Sequence, residues 1–128
     1  MALNNGADVI ISGSFPNISS VCEHLVKENK NVVLGCAGWK DRFNLEDTLF
    51  AGAVVNRIKQ HFNVNCDSAL AAETLYNSAK DDIFGFMRQA SHFQRLSRYG
   101  LEKDIRYCLT NDNANVLCFY QDNKLVAK

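Results

Sequence analysis

The stretch that decides the fold is Asn31–Val55, NVVLGCAGWKDRFNLEDTLFAGAVV. Val32 to Leu34 reads as an apolar strand, and Cys36-Ala37-Gly38 as a small glycine-bearing turn. A charged loop follows from Trp39 to Phe43. A helix then opens at Asn44, with Glu46 and Asp47 in its first turn. Strand, glycine turn and polar helix start is the place where an open α/β fold keeps its ligand. This stretch is therefore the candidate site, with Gly38, Glu46 and Asp47 at its centre.

Upstream, Asp8 to Ser12 reads as another strand, carrying Val-Ile-Ile. Gly13-Ser14-Phe15-Pro16-Asn17 is a turn into a helix, which Asn17 or Ser19 can cap. That helix runs to about Asn29, with Ile18, Val21, Cys22, Leu25 and Val26 on one face at 3.6-residue spacing. Strand, helix and second strand (Val32 to Gly35) form a βαβ unit, so the two strands are expected to be parallel with a right-handed crossover. The turns at Gly13 and Gly38 then share one sheet edge and one crevice. The start, Met1 to Ala7, looks like the tail of a helix with Asn5-Gly6 as its cap. A domain seldom begins that way, and the expectation is that upstream sequence is missing or has been removed.

Downstream, the helix from Asn44 extends to about Phe62, with Leu45, Leu49, Val54, Val55 and Ile58 apolar and Ala51-Gly52-Ala53 permitting close approach. Asp67 caps a third helix, Ser68 to Ala79. Asp81 and Asp82 start a fourth that runs on or breaks near Ser91, and Gly100 ends this helical region. Leu101 to Leu109 is a further short helix and Asn111-Asp112-Asn113 a turn. Val116 to Tyr120 and Lys124 to Ala127 bracket Gln121-Asp122-Asn123 as a hairpin. The expected architecture is a single α/β domain over residues 1–128. It is layered α/β/α, with a small, mainly parallel sheet and a helix-rich C-terminal part ending in a short β-hairpin.

Composition sets limits on function. The chain of 128 residues is 47% hydrophobic and 22% charged, within the range of a globular domain. Its 14 basic and 14 acidic side chains cancel, which is not the electrostatic footprint of a nucleic-acid binder. No apolar run is long enough to cross a bilayer, so no membrane role is expected. Cys22, Cys36, Cys66, Cys108 and Cys118 are odd in number and form no C-x-x-C pair, which argues against structural zinc and for reduced thiols in a cytoplasmic chain.

Three constellations can carry chemistry. Glu46-Asp47 can hold a hard cation such as magnesium, which needs few protein carboxylates beside water and substrate phosphate; the alternative is favourable charge placement at a helix N-terminus. Cys36 and Arg42 have the C-x₅-R spacing of cysteine-dependent phosphatases. Against this stand Asp41 in the cradle, bulky Trp39, and the lack of Ser or Thr after Arg42. An inert packed thiol is the alternative. Ser14 with Asn17 at a helix start can bind an anion or simply cap the helix. Ser91-His92 and Asp104 are polar points on otherwise packing helices, and His92 reads as a partly buried structural histidine.

Cys36-Ala37-Gly38, Arg42-Phe43-Asn44-Leu45-Glu46-Asp47 and Ala51-Gly52-Ala53-Val54-Val55 together resemble the C-terminal half of the 2-phosphosulfolactate phosphatase family. Gly13-Ser14 with Asn17, Asp67-Ser68-Ala69, Ser91-His92 with Leu96, Gly100, and Asp104 with Cys108 stand in the matching order. The resemblance implies an α/β fold and magnesium-dependent removal of phosphate from a small phosphorylated acid, on a route to coenzyme M. It implies Glu46 and Asp47 as metal-binding and catalytic residues, and Ser14, Asn17 and the amides near Gly38 as the phosphate holders. The family's first-half segments, of the types Asp-x-Leu-Arg-Ala-Thr, Asn-Ser-Pro and Thr-Asn-Gly-Thr, have no counterpart here. An incomplete site is therefore also expected, in a chain that assembles as a homo-oligomer or pairs with the missing N-terminal half.

Overall fold

A computed structural model describes residues 6–128. The helix tail expected over Met1 to Ala7 lies almost wholly outside them. Among the described residues there are six α-helices: α1 Ile18–Glu28, α2 Leu45–Ile58, α3 Asp67–Ala79, α4 Ile83–Met87, α5 Ser91–Ser97 and α6 Glu102–Cys108. Three strands, β1 Ile11–Ser12, β2 Cys118–Gln121 and β3 Lys124–Ala127, form one sheet in the order β1-β2-β3.

α2 is the axis of the packing. Its Leu49, Ala51, Gly52, Ala53, Val54, Val55 and Ile58 are all buried, so nearly its whole circumference is covered. The expected close approach at Gly52 occurs: a methyl group there would strike the Ala72 carbonyl of α3 and the Tyr76 side chain. Asn44 opens α2 as its sequence indicates, its Oδ1 accepting the Glu46 and Asp47 amides at 2.9 and 3.3 Å. Phe15, Ile18, Leu49, Val54 and Met87 are the largest fully buried side chains, drawn from the turn before α1 and from α1, α2 and α4. The helical region after Asp82 does break, between Met87 and Ser91.

The α/β class holds, but the parallel sheet does not. Both pairings are antiparallel, Ile11 opposite Phe119 and Ser12 opposite Cys118, then Cys118 to Gln121 opposite Ala127 to Lys124. β1 therefore pairs with the C-terminal hairpin, and not with Val32–Gly35 as the βαβ reading expects. The physical reason is that an apolar run announces a strand but not its partner, because pairing is a long-range choice. Val32–Gly35 is left unpaired, and the shared sheet edge for Gly13 and Gly38 is lost with it. The hairpin itself forms as expected, with Asp122 and Asn123 both at positive φ, 49° and 61°, in a two-residue connection. At α3 the N-cap position falls on Cys66, one residue before the expected Asp67.

Asp112 locks the start of α1 from a distance. Its carboxylate accepts the Ser19 amide at 2.9 Å and the Ser19 hydroxyl at 2.7 Å, while its own amide donates to the Phe15 carbonyl at 3.1 Å. These bonds, the Ser19 hydroxyl first, hold the Asp112 carboxyl below its ordinary pKa.

Candidate functional site

The adjacent carboxylates at the start of α2 face different surroundings, since neighbouring helical positions point about 100° apart. Asp47 turns to the glycine loop, where its Oδ2 accepts the Gly38 amide at 2.8 Å. Glu46 lies in the field of His92 on α5, and Cys108 at the end of α6 lies in the field of Glu46. Burial raises the Glu46 pKa, the Asp47 charge adds to the rise, and His92 opposes it. A half-buried carboxylate of this kind favours either a proton or a cation beside it.

The loop between them is a tight hairpin. Trp39 and Arg42 exchange both backbone bonds at 3.0 Å, and Lys40 and Asp41 sit at φ 50° and 58°. Gly38 is itself at φ 70°, and a Cβ there would meet the Arg42 carbonyl at 2.6 Å. Left-handed Lys and Asp are uncommon and cost energy that the surrounding contacts must offset.

The Trp39 ring gathers two cations. The Arg95 guanidinium of α5 stands 4.5 Å from the ring centroid and Lys40 Nζ 5.9 Å. Arg95 Nη2 also stands within hydrogen-bond distance of His92 Nδ1, at 2.6 Å. The His92 ring lies 6.2 Å from that of Trp39. Among the described residues neither Arg95 nor Lys40 has a carboxylate partner; the ion pair present is Lys59 with Glu73. Arg95 and Lys40 were not singled out by the sequence. The available signal was Lys40 beside Trp39; Arg95 reaches Trp39 only through the fold.

The other expected site residues lie apart from this cluster. Asn17 is buried and its amide is fully engaged. Its Oδ1 accepts the Ser14 amide at 2.8 Å, and its Nδ2 donates to the Ser12 and Val116 carbonyls at 3.2 and 3.0 Å. It ties the end of β1 to the segment before β2. Ser14 is exposed, with its hydroxyl 3.4 Å from Asn17 Oδ1. No hydrogen bond joins the Ser14 turn to the Gly38 turn. Phe50 of α2 covers Gly13 and stands edge-on to Phe15 at 5.6 Å.

The geometry also bears on Cys36. Packing around its thiol, and then the Asp47 carboxylate, push its pKa above the ordinary value even though the residue as a whole is exposed. Both effects oppose a thiolate nucleophile. The loop amides of Gly38, Trp39 and Arg42 are donated inside the protein, so they form no open cradle for phosphate.

For a divalent cation, the described residues contain no cluster of three or more His, Cys, Asp or Glu groups able to hold one. Glu46 and Asp47 still fit a magnesium ion that keeps most of its waters, because one Asp47 oxygen is not engaged by Gly38 and the Glu46 charge lacks a tight partner. No described helix is long and apolar enough to cross a membrane.

A family model described as 2-phosphosulpholactate phosphatase matches residues 1–123. Proteins of Thermotoga petrophila and Thermotoga maritima, each named "Probable 2-phosphosulfolactate phosphatase", are 42% identical over 106 residues, covering 83% of this chain and 45% of theirs. A protein of the same name from Caldanaerobacter subterraneus is 31% identical over 112 residues, covering 87% of this chain and 46% of its own. The chain thus spans about half the length of the curated relatives it matches. With the family model covering nearly every residue, the chain belongs to the 2-phosphosulfolactate phosphatase family.

Proposed function

We propose that this chain contributes the acidic part of a magnesium-dependent phosphatase site acting on a small phosphorylated acid of the 2-phosphosulfolactate type. The observation that carries this reading is the first turn of α2, where Gly38 fixes Asp47 while Glu46 sits half-buried beside His92. Glu46 and Asp47 hold or orient the cation, directly or through water. When bound, the cation offsets charge that builds on the phosphoryl oxygens as water attacks phosphorus. In that hydrolysis the water oxygen bonds to phosphorus, the ester P–O bond breaks, and the departing alkoxide takes up a proton.

The chain's own groups do the rest. Glu46, where it reaches the cation only through water, can take the proton from that water or return one to the leaving oxygen. Arg95 and Lys40, both on Trp39 and both without an acidic partner among the described residues, supply positive charge for the substrate's phosphate or second acid group. Ser14, Asn17 and Gly38, which the family resemblance assigns to phosphate, serve in this reading by shaping the loops; their polar groups bond within the protein. The coenzyme M route and a cytoplasmic setting belong to the same proposal. The test is phosphate release from 2-phosphosulfolactate with and without magnesium. Loss of magnesium-dependent turnover in Asp47→Asn supports the assignment, and unchanged turnover removes Asp47 from the site.

A second, thiol-based reading would need Cys36 as nucleophile and Arg42 on the phosphate. The raised thiol pKa and the closed Trp39–Arg42 hairpin favour the carboxylates instead. Full activity in Cys36→Ser excludes the thiol, and its complete loss in the absence of metal would restore it.

A further inference from the structure

The segment between α1 and the glycine loop has the side-chain alternation of a strand but pairs with none among the described residues. From Asn31 to Ala37 no backbone N–H or C=O meets another backbone group among the described residues. Val32 and Leu34 are half-buried, and Leu34 packs on the core, while Val33 between them is 93% exposed. That alternation is the period of a β-strand. Natural free edges are protected by charge, proline or a bulge. This one has none: from Asn31 to Trp39 there is no charged residue and no proline. β3, an edge in this sheet, carries Lys124 within it and Lys128 just after it. A continuous Val-Val-Leu run is the composition of a strand covered inside a sheet.

We infer that Val32–Gly35 is an acceptor for a β-strand supplied by the part of the family's chain that this chain does not match. The occupant follows from length. The matched region is 45–46% of each relative described above, so more than half of their length lies outside it. The added strand satisfies the free amides and carbonyls and covers Val33. It also stiffens the approach to Gly38, and through it the Asp47 carboxylate. The inference concerns assembly and stands apart from the proposed chemistry.

The test is hydrogen–deuterium exchange over residues 32–37, in this chain alone and in this chain co-expressed with the unmatched part of the Thermotoga maritima relative. Fast exchange alone and slowing by about 100-fold or more in the complex is the expected result. Val33→Asp abolishes co-purification and Leu125→Asp on β3 does not, with wild-type circular dichroism in both. Val33 is exposed in the lone chain, so its replacement leaves the fold intact. In the intact Thermotoga protein, the amides aligned with Val32–Gly35 are protected in the same way. The inference is overturned if those aligned amides exchange freely, or if a complex forms without slowing the segment. It is overturned equally if the lone chain is protected as a dimer, which would make a second copy the occupant. None of these readouts needs substrate or magnesium, so they do not depend on the phosphatase reading.

Discussion

Glu46 and Asp47 stand side by side in sequence, yet one is fixed by a backbone amide and the other is left half-buried beside a histidine. The raised pKa of Glu46 has a definite consequence for stability. A carboxyl whose folded pKa exceeds its unfolded one favours the folded state fully below the ordinary value of 4.5, and that advantage is lost as pH rises through the folded value. Without metal, Glu46→Gln therefore melts higher than wild type at pH 7, and the gap closes below pH 4.5, as thermal denaturation across pH will show. Magnesium should raise the melting temperature of wild type and leave that of Glu46→Gln nearly unchanged. Asp112 has the opposite sign. Its depressed pKa gives stability that is present above the ordinary value of 3.8 and lost as pH falls through the folded value. Asp112→Ala removes the remote cap of α1 and is expected to cost about 1 kcal/mol at pH 7 by urea denaturation, with a smaller difference in acid. Arg95→Ala, assayed in the assembled enzyme, should raise KM for the phosphomonoester by roughly tenfold or more, the scale of one charge-assisted contact.

At the scale of elements, the join between α2 and α3 is the least tolerant feature. Gly52→Ala would drive a methyl into the Ala72 carbonyl, so the helices must separate. A loss of about 3 kcal/mol in chemical denaturation is expected, with helical content retained. This contact was legible beforehand because Ala51-Gly52-Ala53 is a local pattern, and so was the α2 start, where Asn44 and two acids lie within one turn. The Asp122-Asn123 hairpin was legible for the same reason. Pairing of β1 was not. Its choice between Val32–Gly35 and the C-terminal hairpin is settled by long-range packing, and both candidates are short and apolar. The Trp39, His92 and Arg95 cluster escaped notice likewise, since α5 meets the loop only in three dimensions. The Ser14 and Asn17 turn reads from sequence either as a cap or as an anion site, because an amide that caps a loop and one that binds a ligand are the same residue type there.

Across the whole molecule, one core built on α2 holds the acidic turn in place, while the backbone of the segment leading into it, Asn31 to Ala37, is unpaired among the described residues. The two features are connected by Gly38, which follows that segment and anchors Asp47. Site and assembly are therefore expected to depend on one another, with the acidic turn contributed here and sheet cover contributed by the rest of the family's length. The most direct test of the central claim is the initial rate of phosphate release from 2-phosphosulfolactate. It is measured with and without magnesium, for wild type and Asp47→Asn, with the complementary half of the family's chain present. The expected result is magnesium-dependent turnover that falls by about 100-fold or more in Asp47→Asn. Equal rates in the two proteins, or full activity without a divalent cation, would contradict it.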